Sequence, residues 1–103
     1  RVATAEAHAA AGRFAEAGAC WRDIAMAARA AGAVESAAAA HDAAGESFRR
    51  ADLLREAVTQ LEAAVNLAGD PDQNAIARSR LAAALGEIAP VAEPRAICDE
   101  GLA

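Results

Sequence analysis

The chain has 103 residues, about a third of them Ala, with ten Arg and no Lys, fifteen acidic residues and a formal net charge of -5. That charge, with a pI near 4.9, argues against nucleic acid as a partner, which calls for basic residues gathered on one face. Arg13, Glu16, Arg22, Asp23 and Arg29 interrupt the most apolar region, so no membrane span is expected.

Ala and Leu favour helix, and no window shows sustained β-branched alternation, so helix is the only regular structure expected. The first helix is predicted over about 2–11, ending at Gly12, which tolerates the left-handed conformation of a helix stop. A second runs over about 14–31 to Gly32, with Phe14, Ala17, Trp21, Ile24 and Ala28 on its core face and Trp21 expected to be largely buried. The third, over about 34–50, has a wet stripe of Glu35, Asp42, Glu46, Arg49 and Arg50. Its packed stripe is Ala37, His41, Ala44, Gly45 and Phe48.

After a tight turn at Ala51 and Asp52, a fourth helix to about Ala68 buries Leu54, Ala57, Val58, Leu61, Ala64 and Val65 at helical spacing. Pro71 breaks the chain and Asp72 is the expected cap of a fifth helix over about 73–89, which presents Leu81, Ala84, Leu85 and Ile88 to one side. Pro90 is expected to end it and Pro94 to open a short sixth helix containing Ile97 and Leu102.

A period of 40 residues relates His8, Phe48 and Ile88, and relates the run Gly12 to Ala17 with Trp21 to the run Asp52 to Ala57 with Leu61. One helix pair cannot bury its own apolar face, so such units stack and share a core. Small residues at Ala5, Gly45, Ala17, Ala57 and Ala96, with Trp21 and Leu61 four positions after Ala17 and Ala57, resemble the tetratricopeptide repeat in its longer variant. Leu85 and Ile24 stand where that pattern has small residues, Glu100 where it has a large one, and the third turn is one residue short.

The resemblance implies an all-α chain of antiparallel helix pairs stacked as a right-handed solenoid, with repeats at about 1–32, 33–69 and 70–103, the last incomplete. It also implies a concave face, built from the first helix of each pair, that binds a protein or peptide partner. Glu6, Asp42, Glu46, Arg49, Arg50, Arg78 and Ala82 are expected on that face. Glu6 and Glu46 would repel a carboxylate-ended tail there. Two alternatives stand beside this reading: a small-ligand-sensing domain of a larger bacterial signalling or transcription regulator, and a helical bundle with a structural role.

Catalysis is not expected. His8 and His41 lack carboxylates at the spacing of metal-binding bundles, and no Gly-rich phosphate loop or nucleophile elbow is present. Neither a metal nor a cofactor is expected. Cys20 and Cys98 read as buried or half-buried thiols without a disulfide. The start at Arg1 reads as a piece of a longer chain, the composition as bacterial and the compartment as the cytosol; the apolar carboxyl end is expected to self-associate through helices five and six.

Overall fold

A computed structural model describes the backbone of residues 2–102 and the side chains of residues 2–88. The described chain is all-helical: α1 (Val2–Ala10), α2 (Phe14–Ala30), α3 (Val34–Arg50), α4 (Leu54–Leu67) and α5 (Pro71–Leu102). Helices adjacent in sequence pack on one another, and α3 also touches α5. No described helix is long and apolar enough to cross a membrane.

The first three connections are the same turn, repeated every 20 residues. Gly12, Gly32 and Asp52 adopt left-handed φ values of 81°, 78° and 65°. In each turn that residue donates its N–H three residues back, and the next residue donates five back: Arg13 to His8, Ala33 to Ala28 and Leu53 to Phe48, at 2.8–2.9 Å. This double closure satisfies the carbonyls that a helix end leaves open. The carbonyls of Arg13, Ala33 and Leu53 then accept the first bonds of the following helices, from the N–H groups of Ala17, Ala37 and Ala57. No side chain caps α2, α3 or α4.

The three like turns put α2, α3 and α4 in the same register: Ala17, Ala37 and Ala57 are all fully buried, as are Ala44 and Ala64. Ala77 and Ala84, also fully buried, keep the same 20-residue spacing on α5. The 40-residue period is thus two copies of a 20-residue helix-plus-turn unit. The fourth connection departs from the pattern: Asp70, not Asp72, caps α5, its Oδ2 accepting from Gln73 N–H at 2.9 Å, and Pro71 is the first helical residue. A Pro there forfeits no bond, because the first-turn N–H groups have no helical partner. Asn74 Nδ2 donates to the Val65 carbonyl and Gly69 N–H to Glu35 Oε2, tying this turn to α4 and α3.

The core is thin. Its large buried members are Phe48 and Leu61, and the rest of the buried apolar set is Ala. Such a core works only if backbones come close, and α3 is where they do, with Gly45 against Leu61 and Ala57 of α4 and Gly18 of α2 against the Phe48 ring. Trp21 packs on the Ala44, Phe48 and Ala57 cluster but is half-buried, not largely buried, because Phe48 takes the space over Gly18.

Leu54, Val58 and Val65 are likewise only half-buried, while Gln60 is buried among them. On α5, Ala77 and Ala84 face inward, whereas Leu85 and Ile88 are exposed. The expected stop at Pro90 and separate sixth helix are not found: α5 is one helix to Leu102. Proline's fixed φ is a helical value, so a helix can run through it with the loss of its donor bond. Cys20 is half-buried; Cys98 and the expected apolar face at Ile97 and Leu102 lie outside the described side chains.

Two outcomes follow. A Cβ on Gly45 would run into Leu61 Cγ, so Gly45→Ala should cost about 1–3 kcal/mol and Leu61→Ala about 2–5. In the double variant the two costs should sum to less than their separate total in urea unfolding, since the truncated Leu61 vacates the clashing volume; strict additivity would refute this packing. Asp52→Gly should stabilise by about 0.5–1 kcal/mol by relieving a left-handed non-Gly residue, seen as a rise in melting temperature.

Candidate functional site

Helical spacing puts Asp42, Glu46, Arg49 and Arg50 along one side of α3, and α5 lies against that side. Arg80 Nη1 donates to Asp42 Oδ2. Arg49 forks onto Glu46, with Nε to Oε1 at 3.1 Å and Nη2 to Oε2 at 2.6 Å, and its Nη1 reaches Glu87 Oε2 at 2.8 Å. Arg50 Nε makes one long bond of 3.4 Å to Glu46 Oε2. Three cations meet three carboxylates, and the array neutralises itself.

Burial within the array is uneven. Asp42 was expected on the wet stripe, yet its side chain is 8% exposed, because α5 closes over it; Arg80 remains 41% exposed. Among the described residues the buried Asp42 Oδ1 has no partner in hydrogen-bond geometry, although Gln73 stands close enough to favour the charged form. Burial raises the Asp42 pKa above its ordinary 3.8, against the opposing pull of Arg80. Glu46 goes the other way, its pKa lowered from 4.5 chiefly by the Arg49 hydrogen bonds. Those bonds and the one to Glu87 hold Arg49 protonated still more firmly.

Beside this array lies a groove of about 250 Å³, lined by Ala9 of α1, Phe14 and Trp21 of α2, Ala43, Glu46, Ser47 and Arg50 of α3, and Arg80 of α5. The Arg50 guanidinium stands 5.7 Å from the centre of the Phe14 ring, within cation–π range. Two half-buried aromatic rings and two arginines therefore share one concavity.

Of the residues expected to form a binding face, the structure brings Asp42, Glu46, Arg49 and Arg50 together. Glu6 is exposed on α1; Arg78 and Ala82 are exposed on α5, and neither Glu6 nor Arg78 enters the described ion pairs. Arg80 and Glu87, missed from the sequence, take the place assigned to Arg78. They lie seven residues apart, on one face of α5, which was the available signal. The sequence pattern alone places Phe14 and Trp21 on the core face of α2.

His41 is buried as expected, whereas His8 is only half-buried. His8 Nδ1 accepts from Arg13 Nε at 3.0 Å, and His41, buried, donates from Nδ1 to Gln60 Oε1 at 2.7 Å, leaving Nε2 without a partner. Among the described residues no group of His, Cys, Asp and Glu could hold a metal ion. Comparison with known proteins finds no matching family model, curated protein or solved structure.

The Asp42–Arg80 pair should respond asymmetrically to substitution. Arg80→Ala strands a buried carboxylate and should cost about 1–3 kcal/mol near pH 7, whereas Asp42→Asn leaves a half-exposed guanidinium that water can solvate and should cost under about 1 kcal/mol. Because the folded-state pKa of Asp42 is raised, its contribution to stability is fully present below 3.8 and lost as pH rises through the raised value. Removing Arg80 raises that value further, so the deficit of Arg80→Ala should shrink on acidification. Unfolding curves from pH 3 to 7 test this, and the double variant Asp42→Asn/Arg80→Ala should lack the effect.

Proposed function

We propose that this chain is a protein-interaction scaffold of stacked helical repeats whose groove beside α3 captures a partner segment. The supporting observation is the lining itself: Phe14, Trp21, Arg50 and Arg80 meet in one concavity, and aromatic and Arg side chains are the types that dominate interface energetics. The identical 20-residue register of α2 to α5 supports the tetratricopeptide-like reading, in which α1, α3 and α5 would form the binding side. Enzymatic function is not part of the proposal, and neither are a metal or a cofactor.

Within the groove Arg50 is the available cation. Its side chain is 58% exposed, and among the described residues its one ion pair is to a carboxylate that Arg49 already holds twice. A partner segment with an acidic side chain beside an apolar one fits this arrangement: the acid to Arg50 and the apolar group to Phe14 and Trp21. Trp21 is the chain's single tryptophan, so engagement reads directly as a change in its emission.

Arg50→Glu should abolish capture of the partner in pull-down from the parent organism while shifting the melting temperature by no more than about 2 °C, as expected for an exposed ion pair. Arg49→Glu is the wrong variant for this purpose, because it sets three carboxylates together and should unfold the α3–α5 contact. Undiminished capture by Arg50→Glu, or capture that leaves Trp21 emission unmoved, would place the interaction elsewhere on the chain.

A further inference from the structure

A second, larger cavity of about 360 Å³ opens on a different side of α3, between α2 and α4, lined by Arg22, Phe48, Arg55, Glu56, Thr59 and Gln60. We propose that this cavity is a site for a small organic carboxylate carrying an apolar or aromatic group. The site is separate from the groove assigned to a protein partner and does not depend on that assignment.

The lining is polar apart from Phe48, which is only 4% exposed. Two arginines from different helices line it, in a chain of net charge -5. Arg22 makes a 3.7 Å contact with its sequence neighbour Asp23 and is half-exposed, while Arg55 is exposed and enters none of the described ion pairs. Guanidinium forks match a carboxylate in two-pronged geometry, which is why two arginines lining one cavity favour this anion over a neutral group.

Gln60 supplies the third contact. It is buried, and its Oε1 is occupied by Nδ1–H of His41 at 2.7 Å, which leaves its amide NH2 as the group it offers to the cavity it lines. Thr59 spends its hydroxyl proton on the Arg55 carbonyl at 3.1 Å, holding the first turns of α4 in place. Donors outnumber acceptors, and Glu56 is the one carboxylate in the lining. Glu56 would oppose an anion, and it limits affinity without reversing the preference set by two cations.

The volume lies at the lower end of small-ligand pockets. A single aromatic ring with a short carboxylate arm fits within it, the ring toward Phe48 and the carboxylate toward Arg22, Arg55 and the Gln60 amide.

The test is a titration of the 15N-labelled protein with phenylacetate, with 2-phenylethanol as the neutral analogue of similar shape, at constant ionic strength. Phenylacetate should give saturable shifts at the Gln60 side-chain amide and at the backbone of Thr59, Arg55 and Arg22, and 2-phenylethanol should give none at matched concentration. Arg22→Gln and Arg55→Gln should each weaken binding about tenfold, the loss of one charge-assisted pair. Glu56→Gln should tighten it several-fold, an outcome that a nonspecific attraction to exposed arginines on α2 and α4 would not confine to this residue. Equal shifts with the alcohol, unsaturable shifts, or unchanged affinity in the two arginine variants with native circular dichroism would each overturn the site. None of these outcomes bears on partner capture through Arg50, so the two readings stand or fall apart.

Discussion

The structure depends on how closely α3 is approached by its neighbours. With Phe48 and Leu61 as its large buried side chains and Ala filling the rest, the core gains little from each residue. It must gain from density instead, since dispersion falls steeply with a gap of half an ångström. Gly45 and Gly18 are the places where a side chain is given up so that Leu61 and Phe48 can be received. Ala loses no rotamer entropy on burial and is the strongest helix former, which lets a thin core hold without large apolar surfaces.

The same sequence economy explains what could be read in advance and what could not. Helix bounds at Gly12, Gly32 and the Ala51–Asp52 turn were legible because left-handed stops have a chemical signature. The halved period was harder to see: an Ala-rich chain shows Ala at almost any spacing, and it took burial to single out Ala17, Ala37, Ala57 and Ala77 from the rest. Trp21 was misjudged for a related reason. A large residue at a core position predicts burial only if nothing else fills the space, and Phe48, 27 residues on in the sequence, already does.

Charges were misjudged where they depend on a helix that is distant in sequence. On α3 alone, Asp42 belongs with Glu46 and Arg49 on a polar stripe. Packing of α5 converts that stripe into an interface, burying Asp42 more than Glu46 and importing Arg80 and Glu87 as counter-ions. A buried carboxylate held mainly by one half-exposed arginine contributes little net stability. What it contributes is register: sliding α5 by one turn along α3 would separate both Asp42 from Arg80 and Arg49 from Glu87. In an interface otherwise made of interchangeable alanines, two charge pairs seven residues apart on α5 are the features that distinguish one alignment from the next.

The two concavities share that central helix and, through it, one packed cluster. Phe48 lines the cavity between α2 and α4, and Trp21 lines the groove on the other side while packing on the cluster of Ala44, Phe48 and Ala57. Gly18 leaves the Phe48 ring no slack, since even a methyl group would not fit there. A ring displaced in one site therefore has to be accommodated by the other aromatic or by a change in the α2–α3 separation. Packed interiors deform in discrete steps, not continuously, so a shift of Phe48 in one concavity is transmitted to Trp21 in the other. Any energetic coupling between them would travel through this one cluster of four side chains, and it would have to be equal in both directions.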